Sequence, residues 1–268
     1  KTIGVNKNDI KKVRKPDDEL ARLIKTKPKD ELATALHNVL RSMNKQSGLS
    51  AKDFGVFGSI LQGFHHPQFS DLDFVIYGKE NTQKLRETLQ DLHSNSLSSF
   101  KNEFETDESI NGKQWHFKNF SSKEFVWHQR RKLIYSLFKD EKTGRIIKTE
   151  FEPVKQWKEI ANDYDSKIRI AQKGWVKISA RITGDDDAPF MPSVYDIRPL
   201  KVLQGAKSAS EVTRIVSYIE EFRMQACKDE TVYVEGNLEQ VETPNESFAQ
   251  ISLTYCPRYY EQVLKVSY

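Results

Sequence analysis

Cysteine is scarce in this chain of 268 residues: only Cys227 and Cys256, 29 positions apart, are present. That number and spacing exclude a disulfide framework and a zinc-type cysteine cluster, and point to a reduced, cytoplasmic protein. No apolar run approaches the length of a membrane span, and no signal peptide is visible. These two absences argue against a membrane partner. Internal repeats and low-complexity tracts are lacking as well. The chain starts at Lys1 rather than Met, so further N-terminal sequence is expected. Neither sign of charge dominates, because 42 basic and 38 acidic residues leave a net charge of only +4. That balance permits RNA or DNA as a partner without demanding it, since a local patch would have to do the binding.

What is present is a dense ionic surface and enough apolar sequence for a core, at 30% charged and 37% hydrophobic residues. Residues 1–16 are basic and irregular. A short helix is predicted from Asp17 to Lys25, with its acids at the start. Pro28 is expected to open a second helix, in which Leu32, Leu36, Val39, Leu40 and Met43 share one face and Ser47-Gly48 marks the end. Phe54–Phe57 and Asp71–Tyr77 read as strands, the second with Leu72, Phe74 and Ile76 on one face. Leu85, Leu89 and Leu92 mark another amphipathic helix. Residues 95–120 have no clear pattern. A helix is predicted over Phe125–Phe138, then a turn at Thr143-Gly144 and a strand over Ile146–Val154.

Beyond about residue 165 the pattern changes to strands. Alternation is clear in Gly174–Ile182, and Asp185–Asp187 reads as a turn. Val194–Val202, Val212–Ile219, Thr231–Val241 and Phe248–Tyr255 follow, each bounded by Gly, Pro or polar clusters. The reading is an α+β protein of two domains: residues 1–160, a mixed sheet flanked by helices, and residues 161–268, a smaller β-rich domain of barrel or sandwich type.

The chemistry concentrates in "GVFGSILQGFHHPQFSDLDFVIYG", residues 55–78. Asp71 and Asp73 lie two apart on a strand and so share a face, opposite Leu72 and Phe74. Two carboxylates so close repel unless a cation joins them. Mg²⁺, or Mn²⁺ in its place, suits such a pair, because it takes oxygen ligands and often joins one or two carboxylates to substrate phosphates. Upstream, Gly58-Ser59 follows the first strand. A glycine there lets a phosphate approach the backbone, and the Ser59 hydroxyl offers a donor. A triphosphate across this turn, bridged by metal to the aspartates, fits an in-line displacement. A third carboxylate is expected on a neighbouring strand. Glu150 and Glu152 in "RIIKTEFEPVK" share a strand face; Glu150, deeper in the strand, is favoured as general base, and both are candidate metal ligands.

Gly58-Ser59, eleven residues, then Asp71-Leu72-Asp73 resembles the signature of the DNA polymerase beta-like nucleotidyltransferase superfamily. The stretch is similar to the archaeal, stand-alone branch in particular. "HQRRKLIYSLFK", "TEFEPV", "PFMPSVYDI" and "VEGNLEQVE" extend the likeness in the same order. The resemblance implies a mixed-sheet catalytic domain, Mg²⁺, and transfer of a nucleoside monophosphate from an NTP such as ATP, with release of pyrophosphate. By the motif, Gly58 and Ser59 would hold the triphosphate, and Asp71 and Asp73 the metals.

Other residues have two readings each. Arg130, Arg131 and Lys132 suit the triphosphate or a nucleic-acid backbone, or form a solvated helix face. His65 and His66 sit in the loop before Asp71, where a polar loop around Pro67 accounts for them without ligation. Trp175, Tyr195 and Tyr218 suit base stacking or, more simply, core packing. The acceptor is open: an RNA 3′ end, a protein hydroxyl and a small alcohol present the same nucleophile. A fold that has lost catalysis and holds nucleic acid or a partner protein is the alternative; one half of a toxin–antitoxin pair, which transfers a nucleotide onto its partner protein or only blocks that partner, is a further reading.

Overall fold

The structure is a computed structural model that describes residues 4–112, 114–161 and 166–267. The chain divides into two compact units. Residues 1–101 and 136–152 form the first, and residues 102–135 and 153–268 the second.

The first unit starts with α1 (Pro16–Ile24) and α2 (Glu31–Ser47). Asp30 caps α2 by accepting the Ala33 N–H at 2.8 Å, three residues later than the expected start at Pro28. Gly48, at φ 70°, ends the helix where the sequence placed its end. The strands β1 (Phe54–Val56), β2 (Leu72–Tyr77), β3 (Phe100–Asn102), β4 (Tyr135–Lys139) and β5 (Ile146–Val154) form a sheet in the order β1-β2-β5-β4-β3. Between β1 and β2 lies the short α3 (Gly58–Gln62), and α4 (Lys79–Ser94) follows β2. The strands β1 and β2 are antiparallel, with Val56 opposite Phe74. One core gathers Leu32, Leu36, Val39 and Met43 of α2 and Leu85 and Leu89 of α4 with Phe54, Leu72, Phe74, Ile76 and Phe151. The ring of Phe74 stacks on that of Phe151 at 5.3 Å, which joins β2 to β5 on their buried face.

The second unit contains α5 (Ser122–Lys132) and the strands β6 (Arg169–Asp187), β7 (Ser193–Gln204), β8 (Val212–Ser217), β9 (Thr231–Glu242), β10 (Ser247–Leu253) and β11 (Val263–Val266). Their order is β10-β8-β7-β6-β9-β11, and β10 also pairs with β9, so five strands close into a ring. The barrel-like expectation is met in that sense. The ring encloses Val176, Ile178, Ala180, Ile182, Tyr195, Ile215, Val234 and Ile251.

Two expectations are corrected. The helix predicted over Phe125–Phe138 stops at Lys132, because Leu133 adopts a left-handed φ of 54°, and residues 135–139 form a strand instead. Asp185–Asp187 is not a turn but the end of β6, where Asp187 pairs with Val194. Asp187 is neutralised there by Lys155 at 2.9 Å, and Asp185 accepts the Lys228 N–H at 3.1 Å. The chain reverses just beyond, where the Ala188 N–H reaches the Asp185 carbonyl. Among the described residues, no helix is long and apolar enough to cross a membrane.

Candidate active site

The site is assembled from β1, α3, β2 and β5. At the end of β1 the Phe57 N–H donates to the Asp73 carbonyl at 3.0 Å, which brings the next residue, Gly58, against Asp73. Gly58 has φ +60°, and a Cβ built on it would lie 2.1 Å from Asp73 Oδ2. Both conditions require glycine, since a side chain would be strained in that backbone and would displace the carboxylate. The Ser59 carbonyl accepts the N–H groups of Gly63 and Phe64, at 2.9 and 3.1 Å, which closes α3 after a single turn.

Alternation in β2 buries Leu72 and Phe74 and leaves Asp73 half-buried, with Asp71 exposed just before the strand. The same alternation in β5 buries Phe151 and Pro153 and leaves Glu150 and Glu152 half-buried. The Phe74–Phe151 stack puts one residue from each strand on the core face. Their chain neighbours Asp73, Glu150 and Glu152 therefore project to the opposite face.

The electrostatics reflect this placement. The Asp73 carboxyl titrates above its ordinary range, first because burial disfavours its charge, then because Asp71 and Glu152 add like charges nearby. From β5, the charge of Glu152 contributes to that rise. Glu150 and Glu152 bring oxygens within 4.8 Å of each other. Among the described residues, Asp71, Asp73 and Glu152 do not draw their oxygens together within that distance. The donor set nevertheless fits a hard divalent cation, which takes one or two carboxylates and completes its shell with water and phosphate. The Asp73 oxygen held in the space of a missing Cβ supports the same fit.

The loop before Asp71 is fixed by a residue that the sequence reading passed over. Arg145 follows the Thr143-Gly144 turn, and its guanidinium donates to the Pro67 carbonyl at 2.5 Å and the Ser70 carbonyl at 2.7 Å. No local pattern reveals a contact 75 residues away. His65 Nε2 lies 3.1 Å from the Asp30 carboxylate, and His66 Nδ1 accepts the Gln68 N–H at 3.2 Å. Both histidines are thus part of the loop's own structure.

The remaining candidates belong to the second unit. Arg131 pairs with Glu230 and lies over the Trp127 ring at 4.3 Å. Arg130 is exposed and donates through Nε to the Phe104 carbonyl at 3.1 Å. Lys132 is fully buried and donates to the Glu221 carbonyl at 2.9 Å. Tyr195 is a core residue; its hydroxyl donates to the Phe222 carbonyl and accepts the Gln225 N–H. Trp175 is half-buried, donates to Glu235, and carries the Arg258 guanidinium 3.7 Å over its ring. Tyr218 is exposed.

An uncharacterized protein of Methanocaldococcus jannaschii is 30% identical over 197 residues, which are 72% of this chain and 52% of that protein. The chain thus spans about half the length of that relative. No solved structure matches. The family model described as a nucleotidyltransferase domain matches residues 36–139. That match takes in Gly58, Ser59, Asp71 and Asp73, while Glu150 and Glu152 lie beyond it. Residues 36–139 of this chain are therefore a nucleotidyltransferase domain, of the DNA polymerase beta-like kind.

Proposed function

We propose that the chain transfers a nucleoside monophosphate from an NTP to an acceptor hydroxyl and releases pyrophosphate. The observation that carries this reading is the Asp73 carboxylate seated on Gly58, with Asp71 and Glu152 close enough to raise its titration. Acids that feel one another's charge beside a Gly-Ser turn make a poor resting place for charge and a good one for a cation–triphosphate complex.

In this reading Gly58 leaves the backbone open to the β- and γ-phosphates, and the Ser59 hydroxyl donates to them. Asp71 and Asp73 would hold Mg²⁺ or Mn²⁺. When bound, the cation neutralises the triphosphate and lowers the pKa of the acceptor hydroxyl. The acceptor oxygen attacks the α-phosphorus as the bond to the bridging α–β oxygen breaks, and pyrophosphate leaves with that oxygen. Glu152, whose charge helps to raise the Asp73 titration, takes the acceptor's proton as general base in place of Glu150. Burial of Phe151 and Pro153 on either side keeps the Glu152 side chain on the site face. Arg130 and Arg131 have no part in this scheme.

The test is incubation with each NTP labelled at the α-phosphate, Mg²⁺ or Mn²⁺, and RNA, protein and small alcohols in turn. Label should move to one acceptor class with stoichiometric pyrophosphate. Asp71→Asn and Asp73→Asn should each slow transfer by roughly a hundredfold or more, because each removes a ligand charge without changing shape. Transfer at the parental rate in both variants would overturn the reading.

A further inference from the structure

The loop that leads into Asp71 holds two phenyl rings out in solvent. Phe64 is 74% exposed and Phe69 is 78% exposed. Burying such a ring stabilises a protein by roughly 2–3 kcal/mol, so leaving two out on one short loop calls for a reason. Lack of order is not that reason. Arg145 clamps the carbonyls of Pro67 and Ser70. The His66 N–H donates to Ser70 Oγ at 2.8 Å, and the Ser70 N–H returns to the His66 carbonyl at 3.0 Å. The His66 ring leans on that of Phe69, with centroids 4.6 Å apart and planes at 37°. The loop is thus braced with its aromatic faces presented outward.

A basic segment reaches the same place. Residues 4–15 contain five lysines and arginines against one aspartate, and all of them are exposed. Arg14 Nη1 donates to the Leu61 carbonyl at 3.2 Å and passes 3.8 Å from the Cβ position of Gly63, the residue before Phe64. Cations therefore begin within one residue of the exposed rings. Rings that offer stacking faces, next to cations that offer phosphate contacts, are the two components of sequence-tolerant recognition of single strands. An apolar protein partner would instead be met by a groove with few exposed charges.

We propose that Phe64, the His66–Phe69 stack and the basic segment around Lys11, Lys12 and Arg14 bind single-stranded nucleic acid. Its end supplies the acceptor hydroxyl, a clause that rests on the transferase reading above. The chain continues from Phe69 to Asp71 in two residues, so a base stacked there lies beside the site where transfer is proposed.

The test is fluorescence anisotropy of the full chain with dye-labelled oligonucleotides of roughly 12 nucleotides, in chelator and without NTP, across a salt series. RNA and DNA of the same mixed sequence form separate arms, so a preference between them reports the sugar. The parent should bind at least one of them. Phe64→Ala with Phe69→Ala should weaken binding at least roughly tenfold while the salt slope is kept. Lys11→Gln with Lys12→Gln should make the log–log salt slope shallower by about 1.4. Both variants should keep the parental melting temperature, because all four side chains are exposed. No binding of either oligonucleotide by the parent, or parental affinity in the phenylalanine variant, would overturn the proposal. Because no metal or NTP is present, binding by a chain that transfers nothing would leave the binding site standing and remove only the acceptor clause. Transfer to a protein or small alcohol without oligonucleotide binding would remove it and leave the transferase.

Discussion

Glu235 in the second unit and Asp73 in the first are both carboxylates on β-strands, and their surroundings are opposite in kind. Glu235 is 2% exposed and has four donors around it: Asn119 Nδ2 at 2.9 Å, Trp175 Nε1 at 2.9 Å, the Tyr233 hydroxyl at 3.0 Å and Lys177 Nζ at 3.3 Å. Asp73 has the charges of Asp71 and Glu152 for neighbours and a glycine pressed against its oxygen. A buried acid surrounded by donors is complete and holds the fold together. An acid whose charged neighbours are acids gains no such support from them, and in the proposed reading a cation supplies it. Burial alone does not separate structure from function here; the sign of the neighbours does.

The comparison is broken most strongly by removing Glu235. Glu235→Ala should destabilise the protein by about 3 kcal/mol, because Lys177, Trp175 and Asn119 lose a shared acceptor at once. Urea unfolding followed by tryptophan fluorescence measures this. A variant as stable as the parent would show that the network contributes nothing and that the two acids do not differ as described.

Acid sharpens the comparison next. Both units carry a histidine that burial keeps neutral. His128 in the second unit titrates down at about 4, with burial as the main cause. Its Nδ1–H donates to the Glu124 carbonyl and its Nε2 accepts the Val266 N–H, an arrangement that requires the neutral ring. His93 in the first unit is likewise lowered to about 4, by burial and then by the charge of Lys101, and meets the Ser136 hydroxyl at 2.7 Å. The unfolded chain binds these protons near pH 6.5, before the folded chain does. Stability from each is therefore full above that pH and is lost as pH falls toward 4. For the fully buried His128, the loss between pH 7.5 and pH 5 should be about 2 kcal/mol. A flat unfolding free energy over that interval would contradict it.

How much of this was legible in the sequence follows from how local each feature is. Alternation of Leu72, Phe74 and Ile76 gave β2 and the face of its acids. The spacing of Leu32, Leu36, Val39 and Met43 gave α2, and Gly48 its end. Gly58 was legible as a permissive residue, but its contact with Asp73 depends on how β1 pairs with β2. The end of α5 was hidden because Leu133, a residue that rarely takes a left-handed conformation, takes one there. A barrel-like sheet was legible, but which strands close the ring was hidden, because β8 and β10 pair in parallel across more than 30 residues of chain. Arg145 was hidden for the same reason of distance. A reading of residue neighbours along the chain finds faces and turns; it does not find which faces meet.

The smallest effect is also the most discriminating. Because burial and two like charges raise the titration of Asp73, the folded chain holds that proton more tightly than the unfolded chain does. Without a cation, its contribution is favourable at low pH and is lost as pH rises through the raised value, so at neutral pH the ionised group opposes folding. Asp73→Asn removes the charge and keeps the shape. In chelator at neutral pH it should raise the melting temperature by about 1–3 °C, the opposite sign to the loss expected for Glu235→Ala. Adding Mg²⁺ with an NTP should stabilise the parent and leave the variant little changed. An acid whose removal stabilises the protein and abolishes transfer is maintained for something other than the fold. If Asp73→Asn instead lowers the melting temperature in chelator, Asp73 is a structural acid like Glu235, and the contrast between the two units loses its basis.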